Sequence, residues 1–359
     1  MSLLNENVSR RRCLGVLLAL PALSQSACRR PPRRDEILAA LVREVMAPDV
    51  DQVARAGREL AAATDRLVAA PIAAELERTR AAWKRAALSW KRTTAFRDGP
   101  MTDTGALVRA TYWPPRRDGI DEILRSSQPV DAPFVENLGS DLKGVYGLEY
   151  LLFDREDGEG ALARLSGDQG GRSREMVRAC AEEVRVLGER AAHAFGPEGR
   201  DYASALSREG QDGLNRVVSQ LIQSVEGYAT SRLSLVLWLG SLNRLHRADV
   251  EGGPGRVSTD LAVSLLEGGE RLYVGGRTGG LSVLVRNSAP RIHERVQGAF
   301  RAAIGSARGL RAPLEDVVLS NRPKVEALMS SVKALEIALK SDLASALGIT
   351  LDFASGDAD

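Results

Sequence analysis

The sequence predicts an all-α protein made of two helix bundles, and three observations support this. Apolar residues recur at intervals of three and four along several long segments, which is the period of an amphipathic helix. No segment of comparable length alternates apolar and polar residues as a half-buried strand would. The chain of 359 residues is also longer than one hydrophobic core usually serves, so two bundles are expected.

Two amphipathic helices open the predicted fold. The first carries the apolar stripe Ile37, Leu38, Leu41, Val42, Val45 and Met46. Trp83, Ala87 and Trp90 mark the apolar face of the second. Gly99 and Pro100 end this second segment, because glycine favours the left-handed turn after a helix and proline cannot continue it.

Further helices follow in the middle of the chain. Short ones are predicted from Asp118 to Leu124 and from Asp141 to Phe153, before a glycine-rich break over 157–171. A longer helix is predicted over 172–195. The stripe from Leu214 to Leu242 then continues for about eight turns, which predicts a long bundle helix.

The C-terminal part combines a glycine-rich stretch with two more helices. The paired glycines of 252–280 predict irregular backbone between short elements, and no phosphate-loop pattern accompanies them. A helix containing Ile292 and Phe300 comes next. The last helix runs from Val325 and is expected to stop at Gly348.

The N-terminus predicts export and lipid attachment. The segment 9–14 resembles a twin-arginine export motif, and the apolar run Leu14–Leu23 is too short to span a bilayer. Small residues then precede Cys28, as in a lipoprotein cleavage site. We therefore expect Cys28 to be lipidated at the periplasmic face of a bacterial membrane; the alternative is plain secretory cleavage after Ala27, which leaves a free thiol.

These predictions divide the chain into four segments. Residues 1–27 are the predicted signal peptide, and 28–35 form a basic Pro/Arg tether. Residues 36–196 are the predicted N-terminal bundle and 197–359 the C-terminal bundle.

Composition excludes some classes of function. Without the signal segment the chain keeps 46 basic and 46 acidic side chains, so its formal charge is zero. Nucleic-acid binding needs a concentrated basic surface, and none follows the tether. Cys13 lies in the signal segment and Cys28 is expected to be lipidated, so Cys180 has no intramolecular disulfide partner. Its apolar neighbours predict a buried, inert thiol.

The segment Gly144–Phe153 is the most informative in the chain. Tyr146 and Glu149 lie three apart and share one face of the predicted helix, whereas the leucines face the other way. This segment resembles the GxHxxE signature of the imelysin family, with Tyr146 at the histidine position. Only Gly144 and Glu149 match that signature directly.

Other segments carry the same resemblance along nearly the whole mature chain. They are Trp83 with Trp90 and Gly99-Pro100; Tyr112-Trp113-Pro114 with Arg117, Asp118, Ile120 and Asp121; and the C-terminal Leu343–Phe353 followed by Gly356-Asp357. The resemblance implies a periplasmic protein of two related four-helix bundles, with the signature helix lining a cleft between them. It also implies an association with iron acquisition, and the family was once described as a group of metallopeptidases.

With tyrosine at the histidine position, several interpretations of the site remain open. Histidine and glutamate three apart could both face a divalent cation, but a phenol must first lose a tightly held proton. Glu149 is thus a candidate metal ligand, with iron or another metal ion as the possible cofactor. Ferric or haem contact by Tyr146 is conceivable. Alternatively, both residues hydrogen-bond to tryptophan or arginine side chains of the cleft, such as Arg97, Arg116 or Arg117, and fasten the bundles together, or they bind a ligand that is not a metal.

Peptidase chemistry has little support in the sequence. The three histidines, His193, His246 and His293, are widely separated, and none lies in an HExxH arrangement. No GxSxG segment occurs either.

The favoured function is a non-enzymatic periplasmic lipoprotein that binds a small ligand or a partner protein in the cleft, as an accessory to metal uptake. The candidate site residues are Glu149 as acceptor or ligand, Tyr146 beside it, Arg117 and Asp121 as nearby charges, and Trp113 and Trp90 as aromatic walls or core. The expected partners are the membrane, through the lipid anchor, and metal-uptake proteins. A degenerate metallopeptidase and a purely structural helical interaction module are the alternatives.

Overall fold

The computed structural model describes residues 32–155, 160–167 and 170–350, and these residues form helices joined by loops, without a β-strand. The predicted all-α helix-bundle fold is confirmed. The predicted signal peptide and Cys28 lie outside the described residues. Within the described part, no helix is both long enough and apolar enough to cross a membrane.

The helices of the N-terminal part are α1 Arg34–Leu41, α2 Ala47–Ala69, α3 Ala73–Arg92, α4 Pro100–Asp103, α5 Ala106–Thr111, α6 Arg117–Arg125, α7 Ala132–Asn137, α8 Gly144–Leu152, α9 Ala161–Ser166 and α10 Gly170–Ala194. Those of the C-terminal part are α11 Arg200–Arg208, α12 Gln211–Gly227, α13 Ser234–Ser241, α14 Ser258–Val274, α15 Leu281–Arg286, α16 Pro290–Gly309, α17 Leu314–Ser320, α18 Arg322–Ile337 and α19 Ala344–Leu347. π-helical turns at Val42–Met46, Tyr228–Leu233 and Ala338–Leu343 join consecutive α-helices, and 3₁₀ turns lie at Thr93–Phe96, Ser140–Leu142, Pro197–Gly199 and Arg247–Asp249.

The first predicted helix extends further than its apolar stripe. It runs without a break through α1, the π turn and α2, and the stripe residues are buried. The wider π turn ends two residues before Pro48, which lacks an N–H and would clash with the carbonyl of a regular preceding turn.

Helix α14 corrects the prediction of irregular backbone over 252–280. Its paired glycines are buried in the helix, and a Cβ at Gly268 would lie only 2.2 Å from the carbonyl oxygen of Arg92 at the end of α3. Glycine is therefore needed here for close helix packing, not for a turn. The flanking glycines, at 252–255 and 275–280, do lie in loops.

The predicted helix from Asp141 to Phe153 is divided in two by Gly144. This residue has φ +71°, and a Cβ on it would lie 2.5 Å from the carbonyl oxygen of Ala110. A 3₁₀ turn therefore precedes α8, and α8 starts at the first glycine of the signature segment.

Helices from the two predicted bundles pack directly against each other. Helix α14 packs on α3, and α1 packs on α11. The described residues from Pro32 onward belong to one compact unit. The boundary between 196 and 197 stays a prediction.

The expectation for Cys180 is confirmed. Its side chain is fully buried in α10, and this burial raises the pKa of the thiol to about 12. The reactive thiolate is therefore scarce at neutral pH.

Candidate functional site

The signature helix α8 is buried and fixed at its N-terminal end. The indole Nε1 of Trp83 donates to the carbonyl of Val145 over 2.6 Å. The buried ammonium of Lys143 donates to the carbonyls of Val135 and Glu136, at 2.9 and 2.7 Å. These bonds tie α8 to α3 and α7, so that its polar face is held in one orientation.

Tyr146 bonds to an acidic side chain that sequence analysis did not single out. Its hydroxyl donates to Oε1 of Glu251 over 2.5 Å. The same carboxylate accepts from Nζ of Lys91, at 2.7 and 2.6 Å, and from Nε of Arg232, at 3.2 Å. Tyr146, Glu251 and Lys91 are all buried.

The protonation states of this group follow from burial and charge. Burial opposes ionisation of Glu251, but the cations of Lys91 and Arg232 outweigh it and bring the pKa of Glu251 below its ordinary value. Burial and the Glu251 carboxylate raise the pKa of Tyr146 well above its ordinary value. Tyr146 is therefore a neutral hydrogen-bond donor to an ionised carboxylate.

Glu149 lies one turn further along the same face of α8. Its Oε1 accepts from the backbone N–H of Gly255 over 2.9 Å. Burial raises the pKa of this carboxyl to about 8, with help from Glu251 and Glu315, against the lowering effect of Gly255 and Arg117. At neutral pH most Glu149 side chains are thus protonated.

Both bonds are made to one segment, residues 250–257, which we call the crossing loop. A Cβ at Gly255 would lie 2.4 Å from the ring of Trp83 and 3.0 Å from Oε1 of Glu149. The backbone of the crossing loop can approach α8 this closely only because position 255 has no side chain.

A cavity of about 380 Å³ opens beside α8. It is lined by Trp113, Pro115, Arg117, Asp121, Tyr146, Glu149, Tyr150, Phe153, Asp154, Arg155, Arg247, Ala248 and Pro254. Five of the six predicted site residues, Trp113, Arg117, Asp121, Tyr146 and Glu149, therefore meet at one cavity. The sixth, Trp90, lies fully buried in α3 and does not line it.

Aromatic rings and guanidinium groups pair along the cavity walls. The guanidinium of Arg232 lies 4.5 Å from the ring centre of Trp113, and that of Arg155 lies 4.5 Å from the ring centre of Tyr150. Asp121 accepts from the Tyr150 hydroxyl at 2.8 Å and from Arg155 at 2.5 Å. The walls are thus built from side chains that hold one another in place.

Arg117 differs from its neighbours in the cavity. Its guanidinium donates to the carbonyl of Ala248, and it forms no ion pair with any carboxylate in the described ranges. Its charge is close enough to Glu149 to lower the pKa of that carboxyl.

The arginine partners suggested for Tyr146 and Glu149 are not the ones observed. Arg97 donates to Gln223 over 3.0 Å, and Arg116 forms an ion pair with Asp141 at 3.0 Å. The crossing loop supplies both partners instead.

Lys91, Arg232 and Glu251 were missed by sequence reasoning. The one available signal was the position of Lys91, which directly follows Trp90 on a mostly buried helix face. Lys91 and Glu251 lie 160 residues apart, and no local pattern connects them.

The side chains around Glu149 do not fit a directly coordinated metal ion. Within the described residues, no three histidine, cysteine, aspartate or glutamate side chains converge as metal ligands would. None of the histidines lines the cavity, and His293 instead bonds to the hydroxyl of Tyr273 at 2.9 Å. The hydroxyl of Tyr146 already donates a hydrogen bond to Glu251.

The chain is similar to known proteins in sequence and in fold. The family model for Imelysin matches residues 46–341. Over 146 residues the chain is 31% identical to iron-regulated protein A of Synechococcus elongatus. The alignment covers 40% of this chain and 39% of that relative. The chain thus spans about two fifths of the length of this curated relative.

Two solved structures share the fold at 16% sequence identity. One, from Parabacteroides distasonis and named as an iron-regulated protein A precursor, has a TM-score of 0.75. The match covers 90% of this chain and 97% of the Parabacteroides chain. The other, an imelysin-like protein from Psychrobacter arcticum, has a TM-score of 0.68 and covers 89% and 97%. Since the family model covers most of its length, this chain belongs to the imelysin family.

Proposed function

We propose that this protein is a non-enzymatic binding protein that serves iron uptake at the periplasmic face of a bacterial membrane, and that it holds a small ligand in the cavity beside α8. The link to iron rests on the relatives named iron-regulated protein A. The observation that carries the binding role is the cavity itself, in which Glu149 and Tyr146 of the signature helix meet Trp113 and Arg117.

The two alternatives are less well supported. A purely structural module would have its cleft packed shut, whereas about 380 Å³ remain open beside Glu149. A metallopeptidase would need a set of metal ligands and a free base, but the acids lining the cavity each accept hydrogen bonds from protein donors.

Attachment to the membrane is a separate part of the proposal. The predicted lipidation of Cys28 and export by the twin-arginine route rest on the N-terminal sequence. Mass spectrometry of the mature protein from membranes should find an acylated cysteine at residue 28. An unmodified N-terminus at that residue would contradict the anchor.

The test of the binding role is growth of a deletion strain under iron limitation. Trp113→Ala removes one wall of the cavity, and Trp238→Ala is the control because Trp238 lies on the surface, 59% exposed. Wild type and Trp238→Ala should restore growth, and Trp113→Ala should not, at equal amounts of folded protein. If the deletion strain grows as well as wild type under iron limitation, the uptake role is wrong. Chelator-sensitive cleavage of a peptide library would favour the peptidase.

A further inference from the structure

We propose that the cavity binds an organic anion through a carboxylate held by Arg117, so that iron reaches this protein as a chelate of such an anion and not as a bare ion. This inference rests on the proposed binding function and names its ligand class. Among the described residues that line the cavity, the acids already have protein partners, whereas Arg117 forms no ion pair with a carboxylate.

The aspartates that line the cavity already accept hydrogen bonds from other groups of the protein. Asp121 accepts from Tyr150 and Arg155. Asp154 accepts from the backbone N–H of Ala161 at 2.9 Å and pairs with Arg80 at 3.0 Å. A bare cation would have to displace these donors before it found ligands.

Glu149 is no better placed to receive a bare cation. Its Oε1 is turned to the N–H of Gly255, and the next acid on that side, Glu251, is held by Lys91 and Arg232. Carboxylates that are already bonded in this way do not form the cluster of free oxygens that hard cations need.

Arg117 has guanidinium N–H donors beyond the one that it uses in the protein. A guanidinium carries five N–H donors in a planar fork, and the protein uses Arg117 for a bond to the Ala248 carbonyl. The half-buried side chain faces the cavity without a carboxylate partner in the described part of the chain. A planar fork of this kind matches a carboxylate with two parallel hydrogen bonds.

The remaining walls favour a ligand with an organic skeleton. Trp113, Phe153, Pro115 and Pro254 present apolar surface around the same space. The volume of about 380 Å³ falls within the range of small-molecule sites, which combine apolar walls with a few placed polar groups. Together these features suit a small carboxylate better than an inorganic anion.

The test is calorimetric titration of the mature protein with a defined set of probes. Succinate, citrate and salicylate carry carboxylates, trimethyl citrate keeps the citrate skeleton without its charge, and manganese(II) chloride supplies a bare cation. Ferric citrate tests the chelate. The variants are Arg117→Gln, Arg117→Lys and Arg116→Gln, of which the last is the matched control because Arg116 is paired with Asp141 on the surface.

The expected result is saturable binding of at least one carboxylate probe and no binding of trimethyl citrate. Arg117→Gln should weaken this binding about ten- to hundredfold, which is the loss of charge-assisted hydrogen bonds. Arg117→Lys should retain part of it, since it keeps the charge but loses the fork. Arg116→Gln should bind like wild type, and thermal melts should show that all variants are folded.

Three results would overturn the inference. One is that none of the three carboxylates nor ferric citrate binds. Another is equal binding of citrate by wild type and Arg117→Gln. The third is tight manganese binding that disappears in Glu149→Gln. The first and third results are compatible with a growth defect of the deletion strain under iron limitation. Failure of this inference is therefore distinguishable from failure of the proposed function.

Discussion

At the scale of single residues, Tyr146 shows what a different side chain at the signature position does. A histidine there would offer a lone pair to a cation, whereas the phenol donates a hydrogen bond to Glu251. The hydrogen bond links α8 to the crossing loop, and the ionised acceptor is further stabilised by Lys91 and Arg232. The departure from the family signature thus replaces a potential ligand with a donor that joins two segments.

Removal of this hydroxyl is expected to destabilise the protein. Tyr146→Phe should lower the free energy of unfolding by about 1.5 kcal/mol, the lower end for a hydrogen bond to a charged group, because Lys91 and Arg232 remain on Glu251. Urea unfolding measures this change. The exposed Tyr112→Phe serves as control, and equal unfolding midpoints for the two variants would contradict the prediction.

Glu149 should make the stability depend on pH. Its pKa rises from 4.5 to about 8 on folding, so between these values the folded state keeps a proton that the unfolded state releases. The free energy of unfolding therefore falls as the pH rises through this window. Glu149→Gln removes the proton exchange and keeps the acceptor for Gly255.

The stability of Glu149→Gln relative to wild type should therefore increase from about pH 5 to about pH 8 and then level off. Denaturant unfolding at several pH values checks this. The control is Glu122→Gln, at an exposed position of α6. A difference between Glu149→Gln and wild type that does not change with pH would mean that the Glu149 carboxyl is ionised in the folded protein.

At the scale of elements, glycines decide how closely helices and loops approach one another. Gly268 lets α14 reach the end of α3, Gly255 lets the crossing loop lie on α8, and Gly144 sets where α8 begins. In sequence the glycines at 255 and 268 indicate irregular backbone, and Gly144 lies within a predicted helix. Only the neighbours across the interface distinguish a packing glycine from a turn glycine.

Two helix-interior glycines should respond in opposite directions. Gly268→Ala places a methyl group against the Arg92 carbonyl and should destabilise the protein by about 1–3 kcal/mol through overpacking. Gly298→Ala lies in α16 with open space around it and should stabilise by up to about 1 kcal/mol through helix propensity. Thermal or urea unfolding of both variants checks this, and a neutral Gly268→Ala would show that α14 can shift away.

At the scale of the whole molecule, contacts cross the predicted boundary between 196 and 197. The buried pair of Lys91 and Glu251 joins α3 to the crossing loop, and the backbone N–H of Arg97 bonds to Gln220 at 3.1 Å. Breaking a buried ion pair leaves a charge without a partner and is strongly unfavourable. Each half would therefore lose part of its stability without the other.

Hydrogen exchange at increasing denaturant should detect this coupling. Peptides from α3 and α14 are expected to lose protection at the same denaturant concentration, because the two helices pack directly together. Earlier exchange of α14, with α3 still protected, would show that the predicted bundles unfold as separate domains.

The sequence by itself determined the helical class, the extents of most long helices and five residues of the cavity. Helical periodicity is a local signal, and the spacing of Tyr146 and Glu149 places them on one face wherever the helix lies. Trp90, whose spacing was equally suggestive, lies in the core, because a tryptophan at helical spacing can face either core or cavity.

Only the tertiary structure decided which groups surround the signature helix. The crossing loop, the Lys91–Glu251 pair and Arg232 come from distant parts of the chain, and their contacts depend on how the helices pack. Charge and burial then set the chemistry: they keep Tyr146 a donor, raise the pKa of Glu149, and leave Arg117 without a carboxylate in the described part of the chain. Such effects depend on distances in space, which no sequence interval specifies.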